Sequence, residues 1–111
     1  MDRPLLTKSK QFALDVIRVC ETVKGHYALT NQLLRSGTSI GANIREAVYA
    51  HGRADFIAKL QIALKECAET EYWLELLMES GYYKDPTLYA QCGELKRMLV
   101  SSIKTAKENN Q

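Results

Sequence analysis

The sequence predicts an all-α fold, an antiparallel up-down-up-down four-helix bundle, on three observations. Four segments repeat apolar residues at spacings of three and four, which gathers them on one face of a helix. Glycine- or proline-bearing breaks separate these segments at Lys24-Gly25-His26, at Gly52 and from Gly81 to Pro86. No stretch alternates apolar and polar residues as a half-buried strand would. Short links between amphipathic helices favour antiparallel neighbours, so all of residues 1–111 are expected to form one bundle domain.

The first helix is expected over about residues 7–24. Pro4 and Ser9 suit its entry, Phe12, Val16, Val19 and Val23 form its core stripe, and Gly25 takes the position after its last turn. The second helix is expected over 29–51, with Leu33, Gly37, Ile40, Ile44 and Ala47 as its seam. Gly37 and Gly41 fall on nearly one face and allow another backbone to come close, at a propensity cost of about 1 kcal/mol each. Arg35, Ser39, Asn43 and Glu46 form a polar line along one flank, while Thr38, Ala42 and Tyr49 make a weakly polar back. The third helix, over 53–80, carries the seam Phe56, Leu60, Ala63, Cys67, Thr70, Leu74 and Leu77. A second apolar group, Ala58, Ile62, Trp73 and Leu76, lies roughly 120–160° around that helix. A monomeric bundle needs one buried stripe per helix, so this group is expected to be an oligomer surface. The fourth helix, over 86–106, opens with Asp85 as N-cap and Pro86 in its first turn. Its seam is Leu88, Cys92, Leu95, Leu99, Ser102 and Ala106 with Ile103 alongside, and the tail from Lys107 to Gln111 is expected to fray.

Composition excludes several classes of function. The chain is 46% hydrophobic and 25% charged, ordinary for a globular domain. No apolar run approaches the roughly 20 residues that span a bilayer, and the N-terminus has no signal-peptide core. A cytoplasmic protein without a membrane partner is therefore expected. Cys20, Cys67 and Cys92 are far apart and sit at apolar positions, which favours core thiols over disulfides or zinc. His26 and His51 have no second ligand one turn away.

The formal charge is only +2, but it is unevenly distributed. Glu66, Glu69, Glu71, Glu75 and Glu79 fall in a stretch without Lys or Arg, which leaves eight acids against all fifteen basic residues elsewhere. The up-down topology gathers Arg3, Lys8, Lys10, Arg45, Arg53, Lys59, Lys104 and Lys107 at one end, against Asp2, Glu46, Asp55 and Glu108. Glu71, Glu75 and Glu79 fall at the other.

No catalytic constellation emerges. GTSIG lacks the Lys-Ser/Thr of a phosphate loop and sits inside a helix, and Ser39 has no base at a readable spacing. The glutamates lack the Glu-x-x-His pairs of carboxylate metal bundles. The chain is expected to be neither an enzyme nor a cofactor protein. Glu71, beside the third seam, is expected to be a half-buried carboxylate paired across the bundle, with Arg35 as the proposed partner.

Three segments carry a family resemblance: QLLRSGTSIGANIREA at Gln32 to Ala47, RADFIAKLQIALKECAETEYWLELL at Arg53 to Leu77, and ESGYY at Glu79 to Tyr83. Together they resemble the 23S rRNA intervening-sequence proteins, also called the S23 ribosomal protein family. The most specific positions are Gln32, Leu33, Arg35, Ser36, Thr38, Ser39, Ile40, Ala42, Asn43, Ile44 and Glu46. The chain departs from the pattern at Ala47-Val48 and Lys65-Glu66. The resemblance implies an antiparallel four-helix bundle assembled as a ring-like homopentamer, in a family whose molecular function is not established. The expected function is that of a non-enzymatic oligomeric binding protein. RNA or another nucleic acid would meet Lys8, Lys10, Arg45, Arg53, Lys59, Lys104 and Lys107 at the basic end. The alternative is a scaffold or adaptor whose partner is a protein encoded nearby.

Overall fold

The computed structural model describes residues 3–109, which form four helices: α1 (Arg3–Thr22), α2 (Tyr27–Val48), α3 (Arg53–Glu79) and α4 (Thr87–Glu108). They make an antiparallel bundle of 50 × 20 × 20 Å in which α1 and α3 each pack on α2 and α4. The α2–α3 edge is the most extensive and the α1–α4 edge the least, and the diagonal pairs make no close backbone approach.

The helix limits differ from the expected ones for local reasons. α1 begins earlier because Leu5 and Ser9 are buried, which draws its first turns into the core. Ser9 is therefore no helix entry; its Oγ donates to the Leu6 carbonyl at 3.1 Å. Gly25 takes φ 83° and turns the chain, and α2 starts at once because the His26 carbonyl accepts from the Leu29 and Thr30 N–H groups at 3.0 Å. Gly81 at φ 82° does the same after α3. Before α4, the N-cap is Pro86 and not Asp85 as expected; Asp85, one residue earlier, accepts from the Thr87 N–H at 2.9 Å and its hydroxyl at 2.6 Å. These bonds hold the Asp85 carboxyl below its usual range. α4 continues through Lys107 to Glu108, so that part of the expected tail is helical. Asp2 and residues 110–111 lie outside the described residues.

The seams form one core running through all four helices. Leu33, Ile40, Ile44, Leu60, Ala63, Cys67, Leu77, Cys92 and Leu99 are fully buried. Val19 and Phe56 are only half-buried. At the end of α4 the core contact passes to Ile103, and Ser102 and Ala106 are half-buried beside it.

The α1–α2 contact depends on missing side chains. A Cβ on Gly37 would stand 3.1 Å from Val16 Cγ2, and one on Gly41 would stand 3.4 Å from the Ser9 carbonyl oxygen. Both glycines therefore mark a close approach of helices, as their spacing in sequence predicts.

Candidate functional site

The polar line of α2 faces α3, where it meets a different set of acids from the expected one. Arg35 Nη1 lies 3.5 Å from Glu66 Oε2, and its other terminal nitrogen pairs with Glu69. Glu71 instead holds Lys96 of α4 at 2.8 Å. The proposed Arg35–Glu71 pair is thus corrected: both acids near Arg35 lie on the α3 flank toward α2, and Glu71 lies on the flank toward α4. Glu71 is nonetheless the half-buried, cross-bundle carboxylate its position predicts, with side-chain exposure of 14%. Its hydrogen bond and charge raise the pKa of Lys96.

The rest of the line closes on itself. Ser39 Oγ donates to the Arg35 carbonyl at 2.7 Å, and Asn43 Nδ2 donates to the Ser39 carbonyl at 2.9 Å. Glu46 pairs with Lys59 at 3.3 Å. Beneath this layer lies a contact not expected from sequence, a fully buried hydrogen bond of 2.9 Å between Thr70 Oγ1 and Ser36 Oγ. Thr70 occupies a seam position, and Ser36, three residues after Leu33 and four before Ile40, lies on the buried stripe of α2, a spacing that could have found it.

The seven predicted nucleic-acid residues share one end of the bundle without sharing one face. Lys8 pairs with Glu94 of α4 at 3.0 Å, and Lys59 pairs with Glu46. Lys10 and Arg45 border a groove of about 260 Å³ between α1 and α2, floored by Ala13, Gly41 and Ala42. Lys104 and Lys107 border a groove of about 400 Å³ on the opposite edge, between α3 and α4, over Leu64, Val100 and Ile103. Arg53 lines a third cavity of about 810 Å³ at the very end, with Ser101, Ser102, Thr105 and Asn109. Ala47, Val48, Ala50, Phe56 and Ala106 also line it, and its three hydroxyls were missed in the sequence, where Ser101, Ser102 and Thr105 read as parts of a helix face. Among the described residues, no carboxylate forms an ion pair with Lys10, Arg45, Lys104 or Lys107.

At the other end Glu71 and Glu75 are engaged, while Glu79 is exposed. Glu71 holds Lys96, and Glu75 accepts from the Tyr89 hydroxyl at 2.9 Å, which raises the Tyr89 pKa. His26 stacks on Tyr82 with ring centroids 3.6 Å apart, joining the α1–α2 and α3–α4 links.

The second stripe of α3 divides. Ala58 is exposed and Ile62 is 40% exposed, whereas Trp73 is half-buried against the core and donates its indole N–H to Glu69 at 3.0 Å. Leu76 is also half-buried. Apolar residues are spread almost evenly around α3, in contrast to the one-sided α1 and α2.

The cysteines are core groups. Cys67 and Cys92 are buried, and Cys92 Sγ lies 3.4 Å from the Cys67 carbonyl; that neighbour and burial push its thiol far up. Burial also raises the pKa of Cys20. Among the described residues no group of three His, Cys, Asp or Glu could hold a metal ion, and no helix is long and apolar enough to cross a membrane.

Comparison with known proteins agrees with this architecture. The solved structure of a protein of unknown function from the S23 ribosomal protein family of Bacteroides thetaiotaomicron superposes with a TM-score of 0.85. It is 44% identical, and the match covers 90% of this chain and 98% of that one. No curated protein matches. The profile of the 23S rRNA-intervening sequence proteins matches residues 2–101, so the chain belongs to the 23S rRNA-intervening sequence protein family.

Proposed function

We propose that this protein is a non-enzymatic binding protein that works as a closed homo-oligomer, a ring of five on the family resemblance, and engages RNA or another polyanion through the basic end of each bundle. The observation that carries the reading is the end cavity. Hydroxyls from Ser101, Ser102 and Thr105 line it together with Arg53, and Lys104 and Lys107 stand on the adjoining face of the same α4 turns. Hydroxyl and guanidinium donors beside lysines suit a phosphate backbone, which such groups contact without reading sequence. Repetition around a ring would multiply a modest local charge into a strong field.

RNA binding is tested by gel shift across salt concentrations. Affinity is expected to fall steeply with salt, and Lys104→Glu with Lys107→Glu should weaken it and reduce the salt slope by about two. Undetectable binding at low salt contradicts the reading. A second reading, an adaptor for a partner protein, rests on the apolar floor of Leu64, Val100 and Ile103 between α3 and α4, where Val100 is 51% exposed.

A further inference from the structure

We infer that the end cavity takes one unstacked base and its ribose from single-stranded RNA, and that Tyr49 beside it stacks the neighbouring base. This deepens the proposed function and rests on its RNA reading, adding the strandedness of the ligand. The cavity has two kinds of lining. α2 and α3 supply apolar side chains, Val48 and Phe56, and α4 supplies the hydroxyls of Ser101, Ser102 and Thr105. A phosphate would need only the donors. A base has an apolar face and a ribose has hydroxyls, so a nucleoside uses both parts. The volume of about 810 Å³ falls within the roughly 300–1,000 Å³ of small-molecule sites. Among the described residues that line it none is acidic, and Arg53 adds a positive charge.

The α2–α3 link holds an aromatic ring beside this cavity. Tyr49 lies between two lining residues, Val48 and Ala50, and is 79% exposed. It takes no part in the core, and among the described residues no other ring packs on it. Its backbone is nonetheless fixed. The Tyr49 and Ala50 N–H groups donate to the Glu46 and Ala47 carbonyls at 3.0 and 3.1 Å, and the His51 N–H donates to the Asp55 carboxylate at 3.2 Å. A tyrosine on an ordered backbone has only two side-chain torsions to lose, so stacking a base on it costs little entropy.

A duplex cannot use such a site, because its bases are paired and stacked and one must first be extruded. Charge alone favours the opposite choice, since a duplex carries more phosphates per unit length and releases more counterions. Strandedness therefore separates capture of a base from plain attraction to phosphate. The phosphates of a captured strand still have cations to meet. Lys104, next to Thr105 in the chain, and Lys107 form no ion pair with a carboxylate among the described residues.

Fluorescence anisotropy tests the inference with a short labelled RNA of mixed sequence, alone and annealed to its complement, at one low salt concentration. The single strand is expected to bind about tenfold tighter than the duplex, or more. Tyr49→Ala should weaken single-strand binding about 5- to 150-fold, the worth of one base–aromatic stack, and Tyr49→Phe should bind as the wild type does. Ala106→Leu, which fills the cavity without altering charge, should also weaken the single strand and leave duplex binding unchanged. Equal or tighter binding of the duplex, or a single strand indifferent to Tyr49→Ala and Ala106→Leu, would overturn the inference while leaving RNA binding standing. Binding of neither RNA would overturn the inference and the RNA reading together.

Discussion

The two flanks of α2 are held by opposite means. Toward α1, contact comes from absence: Val16 approaches the place of a Gly37 Cβ more closely than ordinary van der Waals contact, at 3.1 Å, and the Ser9 backbone approaches that of Gly41 at 3.4 Å. Toward α3, contact comes from polar matching: the Ser36–Thr70 hydrogen bond lies in the core, and the Arg35 and Glu46 ion pairs lie over it. The difference has an outward consequence. Side chains from both helices reach across the α2–α3 edge and cover it, whereas the small residues of the α1–α2 edge leave a groove open. One helix thus binds its own chain on both flanks and leaves an open groove on only one.

The largest effect is expected on the glycine flank. Gly37→Leu must displace Val16 from a position with no free space and should destabilise the fold by about 1–3 kcal/mol, read from the denaturant midpoint. Gly37→Ala should be much milder, because its gain in helix propensity of about 1 kcal/mol opposes the squeeze on Val16. Equal, small effects from both would mean that the α1–α2 approach is loose.

On the polar flank, Thr70→Val leaves the buried Ser36 hydroxyl without its side-chain partner and should cost about 1–3 kcal/mol. Adding Ser36→Ala should recover part of that loss, since no orphaned group then remains. Additive losses in the double variant would show that the hydroxyls do not act as a pair.

Outside that layer the effects shrink. Arg35 is half-exposed, so its coupling to Glu69 in a double-mutant cycle should be below about 1 kcal/mol, and its coupling to Glu71 should be absent. Measurable coupling to Glu71 would restore the original pairing. Glu71 acts instead through Lys96, whose folded-state pKa is raised. The stabilisation from this pair is fully present below the unfolded lysine pKa of about 10.4 and is lost as pH rises through the folded value. Glu71→Gln should therefore flatten the alkaline decline in stability relative to wild type.

The same contrast explains what was legible in the sequence. Helix count, topology and most of the core follow from periodicity, and the Gly37–Gly41 contact follows from residue type, because a glycine without a turn implies a close neighbour. Which flank of a helix meets which neighbour is different information. A helical wheel places Glu66 and Glu69 on one flank of α3 and Glu71 on the other, but the hand of the bundle decides which flank faces α2. That choice rests on the summed packing of all four helices, so the wheel gave a correct half-buried acid and a wrong partner. The basic end illustrates the same gap. Topology brings its cations to one end of the bundle, and the cross-section separates Lys10 and Arg45 from Lys104 and Lys107.

The central proposal is that the protein works as a closed homo-oligomer with the exposed face of α3 in the contact between copies. Light scattering on the wild-type protein and on Ile62→Lys at micromolar concentration tests it most directly, with circular dichroism to confirm that both are folded. The wild type is expected at several times the 12.6 kDa of one chain, and the variant, with a charge placed on the exposed apolar face of α3, at or near one chain. A wild-type mass of one chain, or a variant that assembles as well as the wild type, would contradict the account.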